Sequence, residues 1–410
     1  MAKVIVLGGC GAVGSVAVRT LAAHDAFDEV VIGDIDTARA EILARELGGG
    51  VSALRVDVGD AASVKQAVAG CDVVLNCSGP FYKYVMTTLR AVLDAGVDYV
   101  DVCDDVDVTR DVLDLHEQAR AAGISALIGM GSSPGVTNLL ARFASEALLD
   151  ETEAVDIYHA HGGEPIEGEG VIAHRFHCMS IDVPMYLDGE LKYVQFFGPD
   201  GIALRETVDF HRLGTGFQVY PYPHPEQLTI PEHIPLRRVT NRGTVLPDEY
   251  YSLIADMCRL GLHDTEPLNV RGVQVKPYDF AIAHILKQRE LILERTQFGS
   301  QRGCVKVVVS GKKADGTRRS YVFSMASVDQ ALGEGTGIPA AMGAILMVRG
   351  QVAGPGVLPP EACVNPMDFL ALIGPVLASS SQGGSYEGLK VEKIDEHGNR
   401  TDIDLATFGL

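Results

Sequence analysis

Positive charge is scarce in this chain. Lysine and arginine total 34 against 54 aspartates and glutamates, a net charge of −20 over 410 residues. Nucleic acid and anionic membrane surfaces attract basic patches, so neither is expected as a partner. A small-molecule site with local positive charge stays compatible with that balance. Long apolar runs are missing as well: no stretch reaches the roughly 18 uninterrupted apolar residues of a membrane span. The eight cysteines, at 10, 71, 77, 103, 178, 258, 304 and 363, form no C-x-x-C pair. In a chain this long that spacing argues against a disulfide framework and for reduced thiols. The opening MAKVIVLGGC has one lysine, a short apolar run and no cleavage site. It reads as a first strand rather than a signal peptide. A soluble, cytoplasmic protein is expected. There are no internal repeats, and SSSQGGSYEG is the one low-complexity stretch, expected as a flexible loop.

Apolar residues make up 47% of the chain, enough for a large core, and the length indicates roughly two to three domains. The first third alternates apolar runs with amphipathic stretches. KVIVLGG, EVVIGDID, VSALRVDVGD, CDVVLNCSGP, DYVDVCDD and SALIGMG read as strands. GSVAVRTLAAH, TARAEILAREL, AASVKQAVAG, VMTTLRAVLDAG and VTRDVLDLHEQARAAG read as the helices between them. This order predicts an α/β fold, a Rossmann-type doubly wound parallel sheet over residues 1–135. Farther on, AVDIYHAHGG, GVIAHRFHCMSIDV, ELKYVQFFG, CVKVVVSGKK and RSYVFSMASV read as longer strands. DEYYSLIADMCRLGL and PYDFAIAHILKQRELILER read as helices. A second, α+β domain on a mostly antiparallel sheet is expected over 136–335, carrying substrate and dimer contacts. Residues 336–410, led by the small-residue helix IPAAMGAILMVRGQV, are expected to pack back on the first domain. The proline-rich YPYPHPE, Tyr220 to Glu226, reads as a surface loop.

Gly9-Cys10-Gly11-Ala12-Val13-Gly14 places G-x-G-x-x-G between a strand and a helix. The first glycine allows a tight turn, the second a close approach to a pyrophosphate, the third close helix–strand packing. The helix start then holds the phosphates. Asp34 ends the second strand 20 residues after Gly14, a spacing suited to a carboxylate on the adenosine ribose. Asp34, Ile35 and Asp36, then Asp57 and Val58, then Ser78, Gly79 and Pro80 are the expected cofactor wall at successive strand ends. A carboxylate at Asp34 repels a 2′-phosphate, so NAD is expected; Arg39 nearby leaves NADP possible.

Three more strand ends face the nicotinamide side. After the fourth come Tyr82, Lys83 and Tyr84, of which at least one is expected to face the cleft. The fifth gives DVCDDVD, Asp101 to Asp107. Either Asp105 or Asp107 caps the next helix, and Asp104 at the strand tip is the candidate proton acceptor. The sixth gives GMGSSPGVTNLLAR, where Ser133 suits an N-cap and Pro134 the first helical position. Gly135, Val136 and Thr137 would then offer N–H groups to a substrate carboxylate. His159 and His161 share one face of a strand, and His174 and His177 lie three residues apart. Without an H-E-x-x-H or a cysteine pair no metal is expected; His174 and His177 are candidates for the substrate cleft. Arg142, Arg175, Arg237 and Arg238 are available to hold carboxylates.

Taken together and in this order, GGCGAVG, NCSGPFYKYV, DAGVDYVDVCDD and GMGSSPGVTNLLAR resemble the saccharopine dehydrogenase-like family. The likeness is to the reductase branch that includes lysine 6-dehydrogenase and carboxynorspermidine dehydrogenase. It extends more loosely through YPYPHPE and TGIPAAMGAILMVRG. The resemblance implies a Rossmann domain, a second α/β domain, a homodimer, and interconversion of an amine and an imine with a nicotinamide. Hydride then leaves the carbon that bears the amine, and the amine must be neutral. Asp104 is the first choice to take its proton, with Tyr82 as an orienting donor. By position, Gly9, Gly11, Val13, Gly14, Asp34 and Ser78 to Pro80 would hold the cofactor. HAHGGEPIEGEGVIAHRFHCM departs from the family in its histidines and its lack of tryptophan, so no lysine or saccharopine pocket carries over. The expected substrate is amino-acid-like. The alternatives are a C=C or C=O reductase of the same fold, or an NAD(P)-binding protein without turnover.

Overall fold

The computed structural model describes residues 2–164, 167–329, 332–381, 386–404 and 407. Among them the first domain runs β1 (Lys3–Leu7), α1 (Ala12–Ala22), β2 (Glu29–Asp34), α2 (Thr37–Leu47), β3 (Val51–Arg55), α3 (Ala61–Val68), β4 (Val73–Asn76), α4 (Phe81–Ala95), β5 (Asp98–Asp101), α5 (Val106–Leu113), α6 (His116–Ala122), β6 (Ser125–Leu127) and α7 (Val136–Phe143). The second domain follows with β7 (Glu151–Gly162), α8 (Glu169–Ser180), β8 (Asp182–Leu187), β9 (Glu190–Gln195), α9 (Pro199–Ala203), β10 (Glu206–Phe210), β11 (Gly214–Pro221), α10 (Glu226–His233), β12 (Arg238–Leu246), α11 (Asp248–Arg259), β13 (Leu268–Val270), β14 (Val273–Val275), α12 (Pro277–Arg295), β15 (Arg302–Lys312) and β16 (Arg318–Val328). The chain ends through α13 (Leu332–Val348), β17 (Gly356–Leu358), α14 (Pro360–Cys363), α15 (Pro366–Ser381), β18 (Tyr386–Ile394) and β19 (Arg400–Asp402).

Apolar runs such as Val4–Leu7 and Val73–Leu75 are buried throughout, as strands covered on both faces must be. The described residues form a seven-stranded parallel sheet in the order β17-β6-β5-β4-β1-β2-β3. Strand order reverses between β1 and β4, and that reversal opens a crevice beyond their carboxyl ends. This is the expected Rossmann layout with one added strand. β17 comes from the C-terminal segment and pairs with β6. The same segment places β18 and β19 on the second sheet, so it ties both domains together rather than only covering the first.

The second sheet runs β10-β11-β12-β7-β15-β16-β18-β19, with β8 paired to β12 and β9. It is mostly antiparallel, as expected, with one parallel pairing between β7 and β12. The helix α13 lies along α1. A Cβ on Gly337 would meet the Val13 carbonyl oxygen at 2.6 Å, so glycine is what lets the two helices approach so closely. Its residues Ala340, Ala341, Met342, Ala344 and Ile345 are fully buried.

Two expectations are corrected here. GVIAHRFHCMSIDV is not a long strand: its first part belongs to α8, and only its tail enters β8. Ile172, Phe176 and Met179 are buried at helical spacing, and that period outweighs the β-branched start of the segment. YPYPHPE is not a surface loop, for Pro221 to Glu226 are all buried. Its prolines have no N–H to satisfy. Two of its remaining donors are paired, Tyr222 with the Asn241 carbonyl and His224 with the Gln227 side chain. Of SSSQGGSYEG, residues 382–385 lie outside the described residues. Among the described residues no helix is long and apolar enough to cross a membrane.

Candidate active site

The glycine-rich turn sits at the end of β1. The Gly8 N–H donates to the Gly33 carbonyl at 2.8 Å, and the Gly11 N–H to the Gly8 carbonyl at 3.0 Å. A Cβ on Gly14 would stand 2.1 Å from that Gly8 oxygen, so only glycine closes α1 onto the strand. Gly11 begins α1 without any side-chain cap. The helix start at Ala12, Val13 and Gly14 is thus open to an anion. The carboxylate of Asp34 accepts from the Cys10 N–H at 2.9 Å and from the Asp36 N–H at 3.0 Å. Asp36 caps α2 through the Arg39 N–H, while the Arg39 guanidinium donates to the Cys10 carbonyl at 2.9 Å. Ile35 is 58% exposed beside them. Asp57 accepts from the Gly59 N–H, and Val58 packs on the core. Across the crevice the buried Ser78 donates its N–H to Asn76 at 3.0 Å, and Pro80 precedes α4. These strand ends together form a cradle that fits a dinucleotide.

Beyond β5 and β6 the two domains enclose a cavity of about 200 Å³, with Asp104, Ser133, His159, His174, His224 and Glu334 in its wall. Two ionic clusters border it. In the first, His174 on α8 is wedged between carboxylates: Nδ1 is 3.1 Å from Asp105 and Nε2 is 3.5 Å from Asp104. Burial opposes charge on His174, yet Cys178, Asp104 and Asp105 together lift its pKa well above the ordinary 6.5. The two carboxylates thus favour its cationic form. Burial raises the pKa of Asp104 in spite of His174. Burial acts the same way on Asp105, but the hydrogen bond from His174 and the Tyr82 N–H bring it below the usual range.

The second cluster joins the loop before α7 to the buried YPYPHPE segment. The Ser133 hydroxyl donates to Glu226 at 2.5 Å and lies 3.2 Å from Nδ1 of His224. That same nitrogen is 3.3 Å from the other Glu226 oxygen. Thr137 also donates to Glu226, at 2.9 Å. Burial would raise the Glu226 pKa, but His224 and Ser133 lower it. Asn138 donates to Glu361 at 2.8 Å, and burial pushes Glu361 up to about 7. His159 stacks on His224, and burial holds its pKa well below 6.5.

The structure corrects the expected carboxylate site at the start of α7. The Gly135 N–H donates to the Asn138 side chain, Val136 to the Gly131 carbonyl and Thr137 to the Ser132 carbonyl. All three donors are engaged within the loop, and Gly135 rather than Ser133 stands at the N-cap position. Ser133 keeps its place in the cavity wall through its hydroxyl, while Thr137 is buried behind it on Glu226. Asp104 and His174 meet in the cavity wall, a pairing not anticipated from the sequence. Tyr82 and His177 do not line the cavity. Their rings stack at 4.3 Å, and His177 is 3.0 Å from Asp107.

The arginines are also placed differently from expectation. Arg142 binds Glu146 and the Val364 carbonyl. Arg175 reaches the cavity wall but is buried against Glu167 and Tyr250. Arg237 and Arg238 line a separate groove, paired with the Asp188 carbonyl and Asp156. Among the described residues, no unpaired lysine or arginine faces the cavity. His224, Glu226, Glu361 and Glu334 went unread in the sequence. The H-P-E spacing inside YPYPHPE was the available signal for the first two. Asp104, Asp105 and His174 are spaced closely enough to hold a metal, as are Asp105, Asp107 and His177.

Residues 4–127 match the sequence model of the saccharopine dehydrogenase NADP binding domain. Carboxyaminopropylagmatine dehydrogenase of Synechocystis sp. is 24% identical over 400 residues, covering 91% of this chain and 96% of that protein. Carboxynorspermidine synthase of Vibrio cholerae is 26% identical over 400 residues, covering 88% and 92%. Among solved structures, apo saccharopine dehydrogenase (L-Glu forming) from Saccharomyces cerevisiae aligns with a TM-score of 0.66 at 18% identity, over 96% of this chain and 100% of that one. Homospermidine synthase from Legionella pneumophila, in complex with NAD, aligns with a TM-score of 0.55 at 13% identity, over 91% and 89%. The two structural likenesses concern the fold.

Proposed function

We propose that this chain, whose residues 4–127 match the saccharopine dehydrogenase NADP binding domain, is an NAD(P)-dependent oxidoreductase that acts on the CH–NH bond of an amino-acid-derived amine whose other half is a polyamine. The single observation that carries this reading is the Asp104–His174–Asp105 cluster beside the cofactor crevice, opening on a cavity without a free cation. A substrate with several carboxylates, such as saccharopine, would need arginines there, and those available are paired. That alone would also suit a less polar substrate. The carboxylates of Asp104 and Glu334 in the wall oppose an apolar ligand and favour an amine.

Gly9, Gly11, Ala12, Val13 and Gly14 hold the pyrophosphate in this reading. Asp34, Ile35 and Asp36 hold the adenosine, with Asp57, Val58 and Ser78 to Pro80 along the rest of the crevice. The bound nicotinamide supplies the acceptor or donor of hydride at the substrate carbon. The protein's part is to prepare the nitrogen. Asp104 takes the proton of the substrate ammonium, which frees the lone pair that the imine needs. Burial keeps its pKa raised and so makes it a better base than an exposed carboxylate. The cationic His174, fixed from behind by Asp105, holds Asp104 in place. Glu226 and Ser133 fix His224 by Nδ1 and leave Nε2 toward the substrate. Tyr82 acts through His177, as a positioning contact at the domain junction.

Asp34 favours NAD over NADP in this account. A homodimer is supported by the family likeness and by the exposed apolar Leu268, Val270, Val273 and Phe280. A cytoplasmic location is supported by eight free cysteines, seven of them buried. The test is nicotinamide reduction by the full chain with N-carboxyalkyl diamines, lysine and saccharopine. Turnover is expected with the diamine derivatives and little with saccharopine. A protein that binds cofactor yet oxidises none of these amines contradicts the proposal.

A further inference from the structure

Among the described residues, one carboxylate in the cavity wall has no side-chain or backbone partner. Arg175 is matched by Glu167 and His174 by Asp104 and Asp105, while His161 is hydrogen-bonded to Glu164 at 2.7 Å. His159 is neutral by burial. Glu226 is engaged by His224, Ser133 and Thr137. Glu334 is half-buried in the same wall and has no hydrogen-bond or ionic partner among the described residues.

Glu334 sits in the first turn of α13. An acid there complements the helix dipole, which accounts for its helix position but not for its place in the cavity wall. The helix is fixed, because its body is buried and a Cβ on its Gly333 would stand 3.0 Å from the Ala12 carbonyl oxygen. A half-buried carboxylate with no partner of its own is a ready acceptor for a cation that enters the cavity. Val136, Val305, Met325 and Ile338 supply an apolar stretch of the same wall, suited to methylene groups.

We infer that Glu334 is a specificity residue that binds a second cationic nitrogen, an ammonium or a guanidinium, at the far end of a substrate whose reacting amine lies at Asp104. This rests on the amine-oxidising reading above and adds to it a two-cation requirement and the residue that enforces it.

The test uses the full chain saturated with NAD and calorimetric binding of three probes: 1,4-diaminobutane, agmatine and butylamine. Wild type is expected to bind the two dications more tightly than butylamine. Glu334→Gln is expected to weaken the dications by about tenfold or more, the size of a lost charge-assisted hydrogen bond, and to leave butylamine unchanged. Comparing diaminobutane with agmatine tells whether the ammonium or the guanidinium is preferred. The corresponding N-carboxyalkyl derivatives provide a second readout, in which KM rises and kcat holds. Equal weakening of all three probes, no change, or a changed affinity for NAD alone would overturn the inference. Selective dication binding without turnover would keep it and remove the amine-oxidation reading instead. Turnover without selectivity would do the reverse.

Discussion

Replacing Glu361 by glutamine should make the protein more stable above neutral pH and leave it nearly unchanged in acid. Glu361 is 3% exposed, and burial lifts its carboxyl from 4.5 to about 7. Below pH 4.5 it is protonated in both the folded and the unfolded chain, so it contributes no pH dependence. Between pH 4.5 and 7 the unfolded chain has released the proton while the folded protein retains it. Stability therefore falls as pH rises through this window, and the loss is complete above the folded pKa. At about 1.4 kcal/mol per unit, the displacement amounts to roughly 3 kcal/mol. Glutamine does not titrate and keeps an oxygen for the Asn138 donor. The assay is urea unfolding followed by circular dichroism, since the chain has no tryptophan, for both proteins on either side of the window. Wild type should lose about 3 kcal/mol relative to the variant across it. Parallel curves would refute the assignment. The consequence reaches the active site, because Glu361 holds Asn138, and Asn138 holds the Gly135 N–H of the loop that carries Ser133.

Gly14→Ala should abolish cofactor binding, or the fold of the first domain, because its Cβ would lie 2.1 Å from the Gly8 carbonyl; dinucleotide titration against thermal melting separates the two results. Asp34→Ser should shift preference toward NADP by removing the negative charge beside Arg39, read as the ratio of kcat/KM for the two cofactors. His224→Gln should lower kcat by about tenfold or more while NAD affinity holds.

The first domain was legible because each signal was local. Buried strands read as continuous apolar runs, and the glycine turn lies between one of them and a helix of the right length. Asp104 was legible because a strand tip in an open parallel sheet faces the ligand side. The second domain hid its chemistry for physical reasons. In α8 the buried positions follow helical spacing, but interleaved histidines and β-branched residues obscured it. The buried YPYPHPE segment was masked by prolines, which usually mark exposed turns. At the start of α7 the free N–H groups were a fair expectation. Asn138 and the Gly131 and Ser132 carbonyls engage them, and that is a matter of loop geometry rather than of residue type. Glu334 looked like an ordinary first-turn acid. Only the packing of α13 on α1 shows that it faces a cavity.

The most direct test of the account is Asp104→Asn, measured for both NAD binding and amine oxidation. Cofactor affinity should stay at the wild-type level, since Asp104 lies outside the cradle. Turnover should fall by about 10²- to 10⁴-fold for want of the proton acceptor. In wild type the rate of amine oxidation should drop as pH falls through the raised pKa of Asp104, and that limb should vanish in the variant. Full turnover in the asparagine protein, or an unchanged acid limb, would contradict the assignment of this carboxylate as the group that receives the substrate's proton.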